Sequence, residues 1–163
     1  MSVKQLWAPW RMDFIEKKTG PVGCVFCNLV QENDDRKNLI LYRDERVFVI
    51  LNKYPYNNGH LMIVPFRHTA DFSALQASEV QDLSVLTQRS VQVLSESYKP
   101  EGYNIGMNLG VCGGAGIKDH LHMHVVPRWG GDTNFMPVIG ETKAMPEHLS
   151  QSYDRLVKHF KKP

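Results

Sequence analysis

The sequence has few of the features that mark membrane proteins or disulfide-rich secreted proteins. Its longest apolar runs, such as Val47–Leu51, have the length of a strand, whereas a membrane helix needs about 20 apolar residues. Only 3 of the 163 residues are cysteine, and this odd number does not favour a disulfide framework. Residues 1–11 lack the apolar segment of a signal peptide. We therefore expect a cytoplasmic protein with no membrane partner.

The charge and composition exclude two further classes of protein. The formal net charge is only +2, which gives no basis for binding a nucleic-acid polymer. Hydrophobic residues make up 42% of the chain and aromatic residues 10%, which excludes a disordered chain. The length of 163 residues suits one domain, since domains usually have about 100–150 residues. We expect a single domain over residues 1–163, with an extension at 1–20 and a helical tail at 138–163.

Apolar segments separated by short turns predict five strands and two main helices. The strands are expected at residues 38–42, 46–52, 60–65, 103–109 and 121–126. Helical spacing of apolar residues predicts a long helix over Ser78–Tyr98, opened by a capping box at Ser78, and a terminal helix over Glu147–Phe160. The early strands have no helix-length connections between them, so we expect an α+β fold. Its sheet should be mainly antiparallel, with one long helix and a C-terminal helix.

The most informative segment carries three histidines at every second position: His120, His122 and His124. Side chains alternate between the two faces of a strand, so the three imidazoles should share one face. Such a row is costly in a buried strand unless each ring nitrogen finds a partner. The row could bind a metal, act as a nucleophile with acid–base partners, or do both. The preceding segment Gly110–Gly116 could bring backbone N–H groups close to phosphate oxygens.

A second motif, Cys24-Val25-Phe26-Cys27, allows two interpretations. A redox pair is typical of a βαβ context, which this sequence lacks. A zinc site needs two further ligands within tetrahedral reach of the cysteines. Two buried thiols without a metal are the plainer alternative.

At these motifs the sequence resembles a known family. The segments His120–Val126 and Leu51–His60 are similar to the signature and the nucleotide-contacting segment of the histidine triad superfamily of nucleotide hydrolases and transferases. Leu6–Met12 and Pro127–Pro137 look like the corresponding segments of bacterial diadenosine tetraphosphate phosphorylases, which are related to the fragile-histidine-triad branch. The resemblance implies a histidine-triad-like fold. It also implies a homodimer, with Ser78–Tyr98 expected to contribute to the interface.

The resemblance also implies roles for individual residues. In such proteins the middle histidine attacks the α-phosphate of a nucleotide and forms a nucleotidyl-histidine. Carried over to this sequence, His122 is the nucleophile, His124 stabilises the charge on the phosphate oxygens, and His60 orients the site. The implied substrate-binding residues are Asn52 at the ribose, Asn108 beside the phosphate, and the backbone N–H groups of Gly116 and Ile117.

A structural zinc ion is implied by the same resemblance. Many bacterial members look alike in having two cysteines, a histidine after the third strand and the first histidine of the triad. The zinc ligands here would then be Cys24, Cys27, His68 and His120. Four protein ligands leave no open position, so the zinc would be structural. Cys112 has no partner in this scheme.

The expected reaction is phosphorolysis of a small nucleotide substrate. Hydrolase branches usually carry Gly-Gln-Ser or Gly-Gln-Thr shortly before the triad, whereas this sequence has Ala115-Gly116-Ile117. A site without that polar pair could position water poorly and accept inorganic phosphate. Cleavage of diadenosine tetraphosphate would then give ATP and ADP. The alternatives are a hydrolase of dinucleoside polyphosphates or nucleoside phosphoramidates, a zinc-stabilised nucleotide-binding module without turnover, and a zinc hydrolase that uses the histidines as ligands.

Overall fold

In the computed structural model, which describes residues 23–134, 136–139 and 143–160, five strands form one sheet. They are β1 (Ile40–Arg43), β2 (Val47–Leu51), β3 (Leu61–Pro65), β4 (Gly102–Gly106) and β5 (Met123–Arg128). Their order across the sheet is β1-β2-β3-β5-β4, and each neighbouring pair is antiparallel. The predicted α+β fold with a five-stranded antiparallel sheet is confirmed.

The helices of the described residues include the two that were predicted. They are α1 (Val25–Gln31), α2 (Ala77–Tyr98), α3 (Met136–Ile139) and α4 (Leu149–Phe160), with a 3₁₀ turn at Phe72–Ala74 before α2. The sequence reasoning missed α1 and α3, because helices of 7 and 4 residues are too short to show a helical apolar period. Within the described ranges, none of the helices is both long enough and apolar enough to cross a membrane.

Two predicted boundaries need correction. The capping box of α2 is formed by Gln76 and Glu79 and not at Ser78. The Glu79 carboxylate accepts the backbone N–H of Gln76 at 2.8 Å and also pairs with Arg67, which fixes the start of the helix there. The fourth strand ends at Gly106 rather than residue 109, since Gly106 opposite His124 is the last pair of its ladder.

Both faces of the sheet are covered in its centre. Val47, Val49 and Leu51 of β2 face the core that contains α2 and α4 residues, while Phe48 and Ile50 face a second cluster that includes α1. All five residues of β2 are buried, as expected for a strand packed on both sides.

The strand register shows which side chains share the face of the sheet that carries His124. Ile40 lies opposite Ile50, Ile50 opposite Met62, and Met62 opposite His124. Directly opposed residues of antiparallel strands share one face, so these four form a row across four strands. Neighbouring strands are about 4.8 Å apart, and the row therefore extends over roughly 14 Å. It begins at a histidine of the triad, and its apolar members belong to the cluster that includes Phe26 of α1.

Candidate active site and metal centre

Three buried histidines meet at one end of this row. His60 directly precedes β3 and His124 lies in the neighbouring strand β5, which brings His60 Nε2 within 2.9 Å of His124 Nδ1. The rings of His122 and His124 lie 4.8 Å apart, centre to centre. The structure thus brings together the three residues that were predicted to act on the phosphate.

The triad does not lie in one strand as predicted. Strand β5 begins at Met123, so His120 and His122 precede it, and the backbone there is free of the strict alternation of a strand. His120 points toward the cysteines, while His122 stays beside His124. The first histidine of the motif therefore belongs to a different site from the other two.

Hydrogen bonds assign the tautomers of the histidines. The backbone N–H of Tyr56 donates to His60 Nδ1 at 3.1 Å, so His60 carries its proton on Nε2 and donates it to His124 Nδ1. His124 must then carry its own proton on Nε2. His122 Nδ1 donates to the carbonyl of His120 at 2.9 Å, so Nε2 of His122 holds the lone pair that a nucleophile needs.

Burial keeps His60 neutral. It lowers the pKa of His60 well below the usual value of 6.5, and the neighbouring His124 and His122 lower this pKa further. A neutral His60 is what the hydrogen-bond chain requires, because its Nδ1 must accept a hydrogen bond from the backbone N–H of Tyr56.

We expect the stability of the protein to fall as the pH drops below about 6.5, because the unfolded chain then binds a proton at His60 that the native state excludes. The contribution of His60 is complete above that pH. Below it, the free energy of unfolding should fall with pH. For one proton taken up on unfolding at His60, the slope approaches ~1.4 kcal/mol per pH unit. Urea unfolding of wild type and His60→Asn between about pH 5 and pH 7.5 measures the difference in slope. Equal slopes would contradict the assignment.

A cavity of about 640 Å³ opens in front of His122 and His124. Its apolar lining includes Ile50 and Met62 of the row, and this volume is in the range of small-ligand sites. His122 and His124 are among the lining residues, and most of the other lining side chains are apolar. The main apolar contributors are Val25, Phe26, Leu29, Leu39, Ile50 and Met62.

Three of the four predicted substrate-binding residues line the cavity, namely Asn52, Gly116 and Ile117. The Asn52 carboxamide accepts the Tyr54 N–H at 2.9 Å and its Nδ2 lies 3.3 Å from His60 Nδ1. Asn108 is not among the residues that line the cavity. Its Nδ2 donates to the Gly114 carbonyl at 3.3 Å, so it contacts the glycine-rich loop.

Sequence reasoning missed three residues that contact the site. The Tyr56 ring lies 4.6 Å from His60 and 5.8 Å from His124, and its position in the Leu51–His60 segment was a usable signal. The Phe26 ring packs against the rings of His120 and His122. Lys143 Nζ donates to the Tyr56 carbonyl and to Asn57 Oδ1, the latter at 2.6 Å, and no local pattern marks it.

The two cysteines form a cluster with His68 and His120, and their donor atoms all lie within 4.8 Å of one another. Cys24 Sγ is 3.2 Å from His120 Nδ1, Cys27 Sγ is 3.5 Å from His68 Nδ1, and the two Nδ1 atoms are 3.3 Å apart. Ligands on a tetrahedral zinc ion would be separated by about 3.3–3.8 Å. The donor set therefore fits zinc.

The second ring nitrogen of His120 also supports this fit. His120 Nε2 donates to the Pro65 carbonyl at 2.8 Å, which directs the Nδ1 lone pair at the cysteines. Burial raises the pKa of Cys27, and the neighbouring Cys24 raises it further. The Cys27 thiol therefore keeps its proton more firmly in the metal-free chain, and binding of a metal ion would release that proton.

Residues 33–131 match the family model described as the HIT domain. The chain therefore belongs to the histidine triad (HIT) family, and it is an enzyme of that family. Among curated proteins, the "AP-4-A phosphorylase" of Mycobacterium tuberculosis is 38% identical over 155 residues, which cover 90% of this chain and 79% of that protein.

Solved structures agree with this assignment. A Zn-bound histidine triad family protein from Mycobacterium smegmatis superposes with a TM-score of 0.69 at 27% identity, covering 86% of this chain and 95% of that one. A hypothetical histidine triad nucleotide-binding protein from Sulfolobus tokodaii gives 0.66 at 25% identity, with 84% and 89% covered. Helices α1 and α4 both lie outside the matched residues 33–131.

Proposed function

We propose that the chain is a phosphorylase of diadenosine tetraphosphate and similar dinucleoside polyphosphates. The observation that carries this proposal is the contact of His122 Nδ1 with the His120 carbonyl at 2.9 Å, which leaves the Nε2 lone pair of this cavity-lining residue available beside His124. The "AP-4-A phosphorylase" relative supports the choice of substrate.

In the first step His122 Nε2 attacks the α-phosphorus. A P–N bond forms while the bond from this phosphorus to the bridging oxygen breaks, and ATP leaves. His124 donates its Nε2 proton toward a phosphate oxygen and stabilises the charge that develops there. The Gly116 and Ile117 N–H groups at the cavity wall offer further donors.

In the second step inorganic phosphate attacks the same phosphorus from the opposite side. The new P–O bond forms as the P–N bond breaks, so that ADP leaves and His122 regains its lone pair. Asn52 at the cavity wall holds the ribose hydroxyls throughout. Asn108 acts through the glycine-rich loop that it contacts.

We propose that Cys24, Cys27, His68 and His120 hold a structural zinc ion. Zinc supplies a cross-link between segments that are distant in sequence, and it takes no part in the chemistry at His122. The Zn-bound relative from Mycobacterium smegmatis supports this choice of metal.

A homodimer, a cytoplasmic location and a single domain over residues 1–163 stay predictions from the sequence. Strand β4 is an edge of the sheet and carries Ile105, which is 49% exposed. On α2, Val80 and Val85 are also exposed. These apolar groups support an interface between two copies of the chain, with α2 and β4 as contributors. The extension at residues 1–20 lies outside the described residues.

Incubation with diadenosine tetraphosphate and saturating ³²P-labelled phosphate is expected to give unlabelled ATP and ADP labelled only at its β-phosphate. The label enters there because phosphate attacks the adenylyl group on His122. Without phosphate, release of ATP should stop after a single turnover. Chromatography of the nucleotides separates the outcomes. Release of AMP in place of ADP would establish the hydrolase alternative, and the absence of any product would favour a binding module.

A further inference from the structure

We propose that helix α1 couples the metal centre to the nucleotide cavity and that Phe26 is the positioning residue in this coupling. The nucleotide part of this inference rests on the proposed function. Cys24 occupies the N-cap position of α1 and Cys27 lies in its first turn, and both belong to the metal cluster. The helix has only 7 residues, so its position depends strongly on these two anchors.

The same short helix forms one wall of the cavity. Phe26 and Leu29 line it, as does Val25. Residues three apart share a helix face, so the cysteine pair faces the metal centre while the pair Phe26 and Leu29 faces the cavity. A displacement of one face therefore displaces the other.

Phe26 lies between a metal ligand and the nucleophile. Its side chain is 2% exposed, and its ring centroid is 5.4 Å from the rings of both His120 and His122. The ring meets His120 edge-on at 75° and His122 at 54°. Phe26 thus supports the orientation of His122 as well as the wall against which a base would pack.

The other end of α1 is held without the metal. Asn38 Nδ2 donates to the Leu29 carbonyl at 3.0 Å, and Arg43 Nη1 donates to the Val30 carbonyl at 3.1 Å. Loss of the metal would leave these two bonds in place and remove the anchors nearest to Phe26, so that this residue would be held by its apolar packing alone. We therefore expect weaker nucleotide binding as a specific result of metal loss, in addition to lower stability.

Binding equilibria test the coupling without any measurement of turnover. Competition with a chromophoric zinc chelator gives the zinc affinity of the wild-type chain with and without saturating AMP. We expect AMP to raise the zinc affinity about tenfold, since coupling between two binding sites is reciprocal and is commonly 5–150-fold, or about 1–3 kcal/mol. An unchanged zinc affinity in a chain that binds AMP overturns the coupling. If the zinc-loaded chain fails to bind AMP, both the proposed function and the coupling are overturned.

Two variants locate the route of the coupling. Phe26→Leu should keep its zinc but reduce the effect of AMP on zinc affinity to less than about threefold, because a smaller side chain no longer contacts both histidine rings. The matched control Val30→Ala changes an apolar residue of α1 that is not among the cavity-lining residues, and it should keep the full effect. Far-UV circular dichroism confirms that both variants are folded. Full coupling in Phe26→Leu would overturn the role of Phe26.

Discussion

Replacement of His122 by alanine is expected to lower kcat by about 10⁴-fold or more, since the loss of a nucleophile removes the covalent route altogether. AMP binding should change by less than about threefold, because the cavity wall that holds the nucleotide stays in place. Steady-state kinetics and calorimetric titration with AMP measure the two effects. A His122→Ala variant that loses AMP binding would show that His122 is a structural residue.

The covalent intermediate gives an independent readout of the same prediction. Without phosphate, adenine-labelled diadenosine tetraphosphate should leave its label on the wild-type chain through a phosphoramidate bond, which alkali preserves and acid cleaves. His122→Ala should carry no label. His159→Gln is the matched control, since His159 pairs with Glu96 on the surface and should label fully. Labelling of His122→Ala would place the nucleophile elsewhere.

Replacement of Cys27 by serine is expected to reduce bound zinc well below one ion per chain and to lower Tm by about 10 °C or more. The magnitude follows because ~1 kcal/mol shifts Tm by about 2–4 °C at this chain length, and zinc sites contribute several kcal/mol. The cluster connects positions that are 41 to 96 residues apart, so its loss releases long loops.

The control for this experiment is Cys112→Ser, because Cys112 is exposed and lies outside the cluster. Elemental analysis and thermal unfolding of wild type and both variants supply the comparison. If Cys27→Ser and Cys112→Ser melt together, or if the wild-type chain carries little zinc after purification with zinc present, the structural metal site is wrong.

The strands were predictable from continuous apolar runs, and the long helices from apolar residues repeated at helical spacing. Val47–Leu51 and Leu61–Pro65 are fully buried runs of strand length, and α2 spans 22 residues. Helix α1 escaped prediction because seven residues make fewer than two full turns. The start of α2 was misplaced because Arg67, in the segment before the helix, pairs with Glu79 and holds this residue in the capping box with Gln76.

The residue types of the candidate site were also readable, whereas their orientations were not. The motif shows three alternating histidines, but only the observed start of β5 explains why His120 faces the cysteines. The side chain of Asn108 is directed by the fold of a glycine-rich loop. Lys143 reaches the active-site loop from 87 residues away, a relation that no local pattern encodes.

Helix α1 and Lys143 both contact the candidate site, although they lie outside the residues that match the family model. The family domain covers residues 33–131 and contains the three clustered histidines, yet the two cysteines precede it and Lys143 follows it. A fragment trimmed to the shared domain would keep His60, His122 and His124 but lose a supporting element at each boundary. We therefore expect such a fragment to bind a nucleotide more weakly than the chain that includes α1 and Lys143.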